Sequence, residues 1–413
     1  MGLREIHMKI AVFDHVGNQG GGSRFSRALL INLKYKFPSI EIVYFGNSKN
    51  ILREKIKDEF DECGITIRSL HSDNKLKLYF YRFIKYLSKN FPSLKSIFPN
   101  SNIHKRIEKL SEGFDIAFFP WPYLLEYPKI DCPIVAVFHD FNYRYFWGTH
   151  IFNDEQLNLL EQQMPIWLKN STPVVSSRFT DSQLKYFFPE YGDKSKIIPL
   201  APFAISSLTQ QEAMKILERF GIDTPYLIYP ANQCAHKNIG NLLSAIYYLQ
   251  QKGIELNLVL TGPGTHNITG TATEYGVEKK TCRSNVVGLG YVTNDQIDAL
   301  IQCAKAVITP SFYEAGNGPG LDAWSKGVPV IMSNIPSFVE HMDTLGVKAT
   351  LFDPKNPHDI AQKIQYVLYN YDLICESALE SQSNISKHSW DYVANNYYLV
   401  FEELHKNNIK KKN

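Results

Sequence analysis

"KAVITPSFYEAGNGPGLDAWSKGVPVIMSN", residues 305–334, decides the fold prediction. Two apolar runs rich in β-branched residues, 305–311 and 328–334, enclose a glycine-rich loop and a helical pattern that ends at Gly327. A strand, a helix and a second strand in this order are typical of parallel sheets with crossover helices. The loop then connects a strand to a helix at the carboxyl edge of the sheet, where such folds bind their ligands.

The same alternation of strand and helix patterns runs through the whole chain and falls into two series. The chain has 413 residues, more than the roughly 250–300 residues at which one hydrophobic core usually stops growing. We therefore predict two Rossmann-like, doubly wound α/β domains at 8–202 and 224–385, joined by a linker at 203–223 that contains one amphipathic helix. The strands are predicted at 8–16, 40–46, 65–70, 115–121, 133–140, 172–177 and 196–201 in the first domain, and at 224–232, 255–262, 285–292, 305–311 and 328–334 in the second.

Composition excludes several classes of protein. A hydrophobic fraction of 44% and a charged fraction of 21% are those of a globular chain, and no run of about 18 apolar residues predicts a membrane span. The N-terminal residues lack the pattern of a signal peptide. The six cysteines form no C-x-x-C pair, which argues against a disulfide framework or a zinc site and favours the cytoplasm. A net charge of +3 does not predict a nucleic-acid partner.

One segment is strongly basic. Nine basic residues and one acidic residue lie between Lys75 and Lys109, and in 75–98 the lysines alternate with leucine and aromatic residues. Such a segment can lie on an anionic membrane surface. An ordinary amphipathic helix that packs on the first domain explains the pattern equally well, and both interpretations stay open.

The glycine loop has the features of an anion site. Glycines tolerate positive φ and let a ligand approach the backbone, and the amides at the start of the following helix attract negative charge. Two carboxylates, Glu314 and Asp322, flank the loop and can accept hydrogen bonds from sugar hydroxyls. Alternatively, Asp322 only complements the helix dipole and the glycines only turn the chain. The candidate binding residues are Gly316, Asn317, Gly318, Gly320, Leu321 and Asp322.

A second glycine-rich stretch, "GNQGGGSRFSRALL" at 17–30, lies between a strand and a helix of the first domain. Gly21 and Gly22 could close over a diphosphate, and a tight turn is the alternative. It is not a dinucleotide fingerprint, because Phe25 stands where the third glycine would be.

Taken together, the motif resembles the nucleotide-sugar motif of the retaining glycosyltransferases of family four, which have the GT-B fold. In that family a Glu is followed by seven residues, a second Glu and a Gly-x-Pro-Val turn. Glu314 and Asp322 keep this spacing, with Asp in place of the second Glu, and 327–330 supply the turn. The resemblance implies two Rossmann-like domains that face each other across a cleft.

Three further segments resemble the same family. In "YPANQCAHKN", 229–238, Lys237 matches the lysine that meets the donor diphosphate, while Asn232 stands where many relatives have Arg. In "FHDFN", 138–142, His139 is implied to lie near the transferred sugar. "SWDYVANNYY", 389–398, resembles the helix that returns to the first domain, predicted at 386–408.

The resemblance implies an enzyme that moves a hexose from a nucleotide-diphosphate sugar to a glycan or lipid-linked glycan with retention of configuration. Glu314, His139 and Lys237 are the implied catalytic residues, with Glu314 on sugar hydroxyls and Asp322 on the ribose. No two aspartates lie two positions apart, so we predict that neither a metal nor another cofactor is needed beyond the nucleotide-sugar co-substrate. GDP-mannose is favoured, since the His-Lys-Asn variant resembles some mannosyltransferases.

Other classes stay open at this point. A GT-B epimerase, a phosphorylase or a catalytically silent sugar-nucleotide binding module would share the motif. The predicted location is the cytoplasm, with peripheral binding to the inner face of the cell membrane if 75–98 contacts lipid.

Overall fold

The computed structural model of the chain describes residues 7–15, 21–46, 56–70, 103–145, 152–203, 208–222, 225–270 and 286–412. These residues form two parallel sheets. The first has the order β3-β2-β1-β4-β5-β6-β7, with strands β1 (Lys9–Asp14), β2 (Glu41–Gly46), β3 (Thr66–Ser69), β4 (Ile116–Phe119), β5 (Ile134–Val137), β6 (Thr172–Val175) and β7 (Lys196–Ile197). The second has the order β10-β9-β8-β11-β12-β13, with strands β8 (Tyr226–Pro230), β9 (Asn257–Thr261), β10 (Val286–Gly288), β11 (Ala306–Thr309), β12 (Val330–Ser333) and β13 (Thr350–Phe352).

Helices cover both faces of each sheet. Those that belong to the first domain are α1 (Gly21–Lys36), α2 (Ile56–Glu62), α3 (Ile103–Leu110), α4 (Asn142–Tyr145), α5 (Asp154–Asn170) and α6 (Arg178–Phe187). The later ones are α7 (Gln210–Phe220), α8 (Ile239–Gln251), α9 (Asn294–Gln302), α10 (Gly318–Ser325), α11 (Pro336–Leu345), α12 (Pro357–Tyr369), α13 (Tyr371–Ile385) and α14 (Trp390–Lys412). None of the helices within the described ranges has the length and apolar character needed to span a bilayer.

Local sequence signals explain where several helices begin and end. Capping boxes start α5, α7 and α9, in each of which a polar side chain and the side chain three residues later satisfy each other's amides. The helix α7 ends at Gly221, whose φ of 60° is the left-handed conformation that glycine adopts without a steric cost. These signals mark the boundaries of three of the helices that cover the sheets.

The inner strands are buried on both faces, as is usual for parallel sheets under two helical layers, whereas the edge strands β3 and β7 are partly or fully exposed. In β4, β5 and β11 every residue is buried. All strands predicted from the sequence are present, each somewhat shorter than predicted. The strand β13 is not among the predicted ones, because it is only three residues long and begins with a threonine.

The strand order of each sheet reverses at one point, between β1 and β4 in the first sheet and between β8 and β11 in the second. Loops that follow the two strands at such a point diverge to opposite sides and leave a crevice at the carboxyl edge. The glycine stretch at 21–22 follows β1, and the loop at 310–317 follows β11. Both predicted ligand loops therefore lie at these crevices.

The final helix, α14, packs on the first domain, as predicted. Tyr397 and Phe401 are buried in the same core as Ile10 and Phe118, and the ring of Tyr398 stacks on that of Phe37 with centroids 3.8 Å apart. The helix extends to Lys412, a little beyond the predicted 408. The strands β7 and β8 lie on either side of the predicted linker.

Candidate functional site

An accessible ion pair lies at the crevice of the second sheet. The Nζ atom of Lys237 donates to Oε1 of Glu314 at 2.5 Å, and the side chains are 18% and 17% exposed. Glu314 also accepts a hydrogen bond from the hydroxyl of Ser311 at 2.7 Å. The cation and the carboxylate are thus held in place but remain within reach of a ligand.

The turn that carries Lys237 is fixed to the neighbouring strand end. Lys237 closes a short 3-10 turn after β8, and Asn238 follows in the left-handed conformation with φ of 55°. The Asn238 amide group donates to the carbonyl oxygens of Pro310 and Pro354 at 2.8 and 2.7 Å. Since Pro310 directly follows β11, the two loops of this crevice are joined at the base of the ion pair.

His139 follows β5 of the first domain and is neutral at physiological pH. Its Nε2 atom lies 2.8 Å from the carbonyl oxygen of Pro120, which only accepts, so Nε2 carries the proton. Burial lowers the pKa of His139 to about 4. The imidazole ring stacks on the Trp121 ring with centroids 5.0 Å apart and contacts the Phe25 ring edge-on with centroids 5.1 Å apart.

Asp140, the next residue, is a candidate site residue that the sequence analysis missed. Its pKa is raised to about 6, chiefly by burial and in part by the charge of Glu314, while the Asn142 amide and Lys237 act to lower it. The Asn142 amide donates to its Oδ1 at 3.0 Å. An acid directly after His139 at the carboxyl end of a strand is the signal that could have identified it. The first domain therefore places a carboxyl group within electrostatic reach of the Lys237–Glu314 pair.

Direct contacts between the domains surround this group. The hydroxyl of Tyr313, one residue before Glu314, accepts from the Phe141 amide at 3.0 Å and donates to Gln183 at 2.6 Å. Glu340 on α11 accepts from the first two amides of α6, those of Arg178 and Phe179, both at 2.7 Å. Residues that follow β5 and β11 are in this way brought face to face, as expected for a cleft between two domains.

The glycine loop is packed more fully than the sequence indicates. Asn317 caps α10, since its Oδ1 accepts from the Gly320 amide at 3.0 Å and its backbone oxygen accepts from the Leu321 amide at 2.8 Å. A Cβ atom on Gly320 would lie 2.3 Å from the Asn317 side chain. Gly316 makes room for the end of the first domain, because a Cβ there would lie 3.1 Å from Leu200, whereas a Cβ on Gly318 would make an ordinary contact at 3.6 Å with Phe203 of the linker. The predicted role of 316–321 in nucleotide binding stays a prediction.

Asp322 is buried and holds the first domain and the linker. Its Oδ2 lies 2.9 Å from Nη1 of Arg24, and its Oδ1 accepts from the Phe203 amide at 2.7 Å. The Arg24 guanidinium also lies over the Phe203 ring, 4.9 Å from its centroid. In this conformation both carboxylate oxygens have protein partners, and the predicted ribose contact stays a prediction.

Gly21 and Gly22 form the first turn of α1, at the crevice of the first sheet. A Cβ on Gly21 would meet nothing within 4 Å, and one on Gly22 would lie 3.6 Å from the Trp121 ring. Their predicted contact with a diphosphate is untested. The predicted membrane-binding stretch at 75–98 lies outside the described residues.

Within the described ranges, no group of three or more His, Cys, Asp or Glu side chains is arranged to hold a metal ion. The five cysteines in these ranges form no disulfide. Independence from metals stays a prediction that rests on the sequence.

The chain is similar to known glycosyltransferases. Residues 212–387 match the family model of the glycosyl transferases group 1. The O-antigen chain mannosyltransferase B of Escherichia coli is 26% identical over 241 residues, 56% of this chain and 60% of the relative. An uncharacterized glycosyltransferase of Methanocaldococcus jannaschii is 26% identical over 223 residues, 51% of this chain and 55% of the relative. The matched region thus spans little more than half the length of these relatives.

Solved structures resemble the chain over almost its full length. The crystal structure of Anabaena HepE in complex with UDP-glucose has a TM-score of 0.68 at 13% identity and covers 96% of this chain and 100% of its own. WaaG, a glycosyltransferase involved in lipopolysaccharide biosynthesis, has a TM-score of 0.64 at 12% identity, with coverages of 95% and 99%. The predicted GT-B architecture is confirmed.

Proposed function

We infer that this chain, whose residues 212–387 match the family model of the glycosyl transferases group 1, moves a sugar from a nucleotide sugar to a glycan or lipid-linked glycan acceptor. The observation that carries the proposal is the accessible Lys237–Glu314 pair at the crevice of the second sheet, within electrostatic reach of Asp140 of the first domain. A cation and a hydrogen-bond acceptor side by side are what a diphosphate and a sugar hydroxyl require.

The chemistry needs a stabilised leaving group. Breaking the anomeric C–O bond builds positive charge on the sugar ring and negative charge on the departing diphosphate. Fixed cations in a water-poor site stabilise such charge, and the removal of one such donor costs about 3 kcal/mol in comparable oxyanion sites. We assign this role to Lys237, which exchanges its contact with Glu314 for one with the diphosphate, and Glu314 then accepts from sugar hydroxyls.

We further propose that the anomeric configuration is retained and that no metal takes part. The acceptor hydroxyl attacks from the face of the leaving group, and an oxygen of the departing phosphate takes its proton, so the protein supplies no nucleophile. The lack of an Asp-x-Asp pair in the sequence supports a site that relies on Lys237. His139, neutral because of its lowered pKa, offers its Nδ1 atom as a hydrogen-bond acceptor rather than a charge near the transferred sugar.

The proposed donor is a hexose nucleotide, with GDP-mannose first. Two observations favour mannose, the His-Lys-Asn sequence at 236–238 and the similarity to the Escherichia coli O-antigen chain mannosyltransferase B. The fold is shared with Anabaena HepE, which was solved with UDP-glucose, and a donor panel therefore includes uridine nucleotides.

Thermal shift with a panel of UDP- and GDP-hexoses tests the assignment, because a ligand that binds the folded state raises its stability. The change Lys237→Met should weaken the affinity for the best donor at least tenfold, since a charge-assisted hydrogen bond contributes about 1.5–3 kcal/mol. Lys355→Met, at an exposed position, is the matched control. Equal donor affinity in wild type and Lys237→Met would remove the phosphate assignment.

Incubation with a labelled donor separates the transferase from the other classes. Turnover that requires an acceptor supports the proposal. Isomerisation of the sugar would indicate an epimerase. Phosphate-dependent release of sugar phosphate from a glycan would indicate a phosphorylase, and binding without turnover would indicate a silent module.

A further inference from the structure

Trp121 lies at the crevice of the first sheet. It follows β4, the strand that pairs with β1 at the point where the strand order reverses. Gly22, at the start of the helix that follows β1, is its neighbour across the crevice, with an ideal Cβ 3.6 Å from the indole ring. Ligands of doubly wound sheets bind at this position, and none of the roles assigned above uses Trp121.

The indole N–H of Trp121 differs from those of the other described tryptophans. Trp167, Trp324 and Trp390 donate to backbone carbonyls at 2.8, 2.9 and 2.8 Å. Trp121 is partly exposed, and among the residues that the structure describes its N–H has no acceptor. Tryptophan N–H groups usually find a hydrogen-bond partner when they are buried. Since the N–H of Trp121 has none within the described residues and the ring is partly exposed, this donor is available to a ligand.

The Trp121 ring is nevertheless firmly positioned. It stacks on His139 with ring centroids 5.0 Å apart and an interplanar angle of 27°, and its centroid lies 4.9 Å from that of the Tyr123 ring. The Tyr123 hydroxyl in turn binds both backbone groups of Asp140, at 2.6 and 3.0 Å. A rigid aromatic surface loses little conformational entropy when a ligand binds to it.

The backbone next to this ring adopts a rare conformation. Leu124 has a φ of 60°, in the left-handed region that costs a side-chain-bearing residue about 1–2 kcal/mol. Non-glycine residues in this region cluster at ligand sites, where the surrounding structure holds them in place. Contacts with residues that follow β1 and β5, namely His15 on the Tyr123 carbonyl and Asp140 on the Tyr123 hydroxyl, hold the loop of Trp121 and Tyr123 in place.

On the basis of the proposed function, we propose that Trp121, backed by His139, is the platform on which the terminal sugar of the acceptor glycan stacks. A pyranose ring combines an apolar face of C–H groups with a rim of hydroxyls, and the indole offers an apolar face together with one free N–H donor. His139 is neutral and adds no charge to the surface. The platform belongs to the first domain, and through His139 and Asp140 it adjoins the Lys237–Glu314 pair, so a hydroxyl of the stacked sugar would face the donor.

The test measures acceptor binding without donor. Saturation-transfer NMR is used with oligosaccharides that end in mannose, glucose, galactose or N-acetylglucosamine, together with the variants Trp121→Ala, Trp121→Phe and, as control, Tyr35→Ala, an aromatic residue of the same domain that is 87% exposed. We expect saturation of the terminal sugar protons in wild type and at least a tenfold loss of affinity in Trp121→Ala. Trp121→Phe, which keeps the stacking surface and lacks the N–H, should lose less. Donor affinity by thermal shift should stay within twofold in all variants.

Two outcomes would overturn the platform. One is an oligosaccharide affinity that is equal in wild type and Trp121→Ala, or absent in wild type. The other is a loss of donor affinity in Trp121→Ala that matches its loss of acceptor affinity, which would assign Trp121 to the donor. Both leave the proposed function standing as long as wild type binds a nucleotide sugar, whereas a wild type that binds none while still binding oligosaccharides would contradict the proposed function alone.

Discussion

Replacement of Asp140 by Asn should make the protein more stable, and the gain should depend on pH. In the folded protein the pKa of Asp140 is raised from 3.8 to about 6, chiefly by burial. A raised carboxyl pKa means that the folded state binds the proton more tightly than the unfolded state, so ionisation costs stability. The cost is absent below pH 3.8, grows as the pH rises, and is complete above pH 6.

The size of this cost follows from the shift. A shift of about two pKa units corresponds to a cost of about 3 kcal/mol. Because Asp140 is partly exposed, solvent screening reduces this cost to about 1–3 kcal/mol. Asn keeps the acceptor for the Asn142 amide and removes the charge. The gain in unfolding free energy of Asp140→Asn should therefore be larger at pH 7.5 than at pH 4.5 by about 1–2 kcal/mol.

Urea unfolding of wild type and variant at several pH values between 4.5 and 7.5 measures this difference. Asp131→Asn, at an exposed position just before β5, is the control and should show no such trend. A difference between Asp140→Asn and wild type that is constant from pH 4.5 to 7.5 would refute the reasoning.

Two further substitutions test the packing around the cleft. Glu340→Gln replaces a carboxylate whose oxygens accept two amides of α6. The loss of about 1.5–3 kcal/mol should open the domains, which small-angle scattering would measure as a larger radius of gyration. Asp343→Asn, exposed on the same helix, should leave the radius unchanged, and equal radii in all three proteins would show that Glu340 does not hold the domains together. Gly320→Ala places a methyl group 2.3 Å from the Asn317 side chain and should lower the unfolding free energy by about 1–2 kcal/mol through the lost helix cap. In the same thermal unfolding assay Gly21→Ala, whose methyl group meets nothing within 4 Å, should leave the stability unchanged. A Gly320→Ala variant as stable as wild type would show that the cap contributes little.

The fold could be predicted because its signals are local. Apolar runs of strand length, helix caps and the alternation of the two patterns specify two parallel sheets wherever each strand is long enough to stand out. The strand β13 could not be predicted in this way, since its three residues form a strand only through pairing with β12. The place of α14 on the first domain could be expected only from the resemblance, because nothing in 390–412 itself indicates the partner surface.

The site was less predictable, since its details depend on contacts between distant residues. The spacing of Glu314 and Asp322 identifies the loop, yet it does not reveal that Arg24 occupies Asp322, a pairing between residues almost 300 positions apart. Likewise, the glycine at 316 reflects the neighbouring Leu200. Asp140 was missed because its environment is created by burial and by the opposite domain, and neither is visible in its own segment.

The place of α14 has a consequence for the order in which the chain matures on the ribosome. The residues that complete the first hydrophobic core, including Tyr397 and Phe401, are translated only after the entire second domain. At about 5–20 residues per second, the surface that Tyr397 and Phe401 later cover stays exposed to solvent for roughly 10–40 s after residue 203 has been added. The nascent first domain is therefore a natural client for chaperones during that interval.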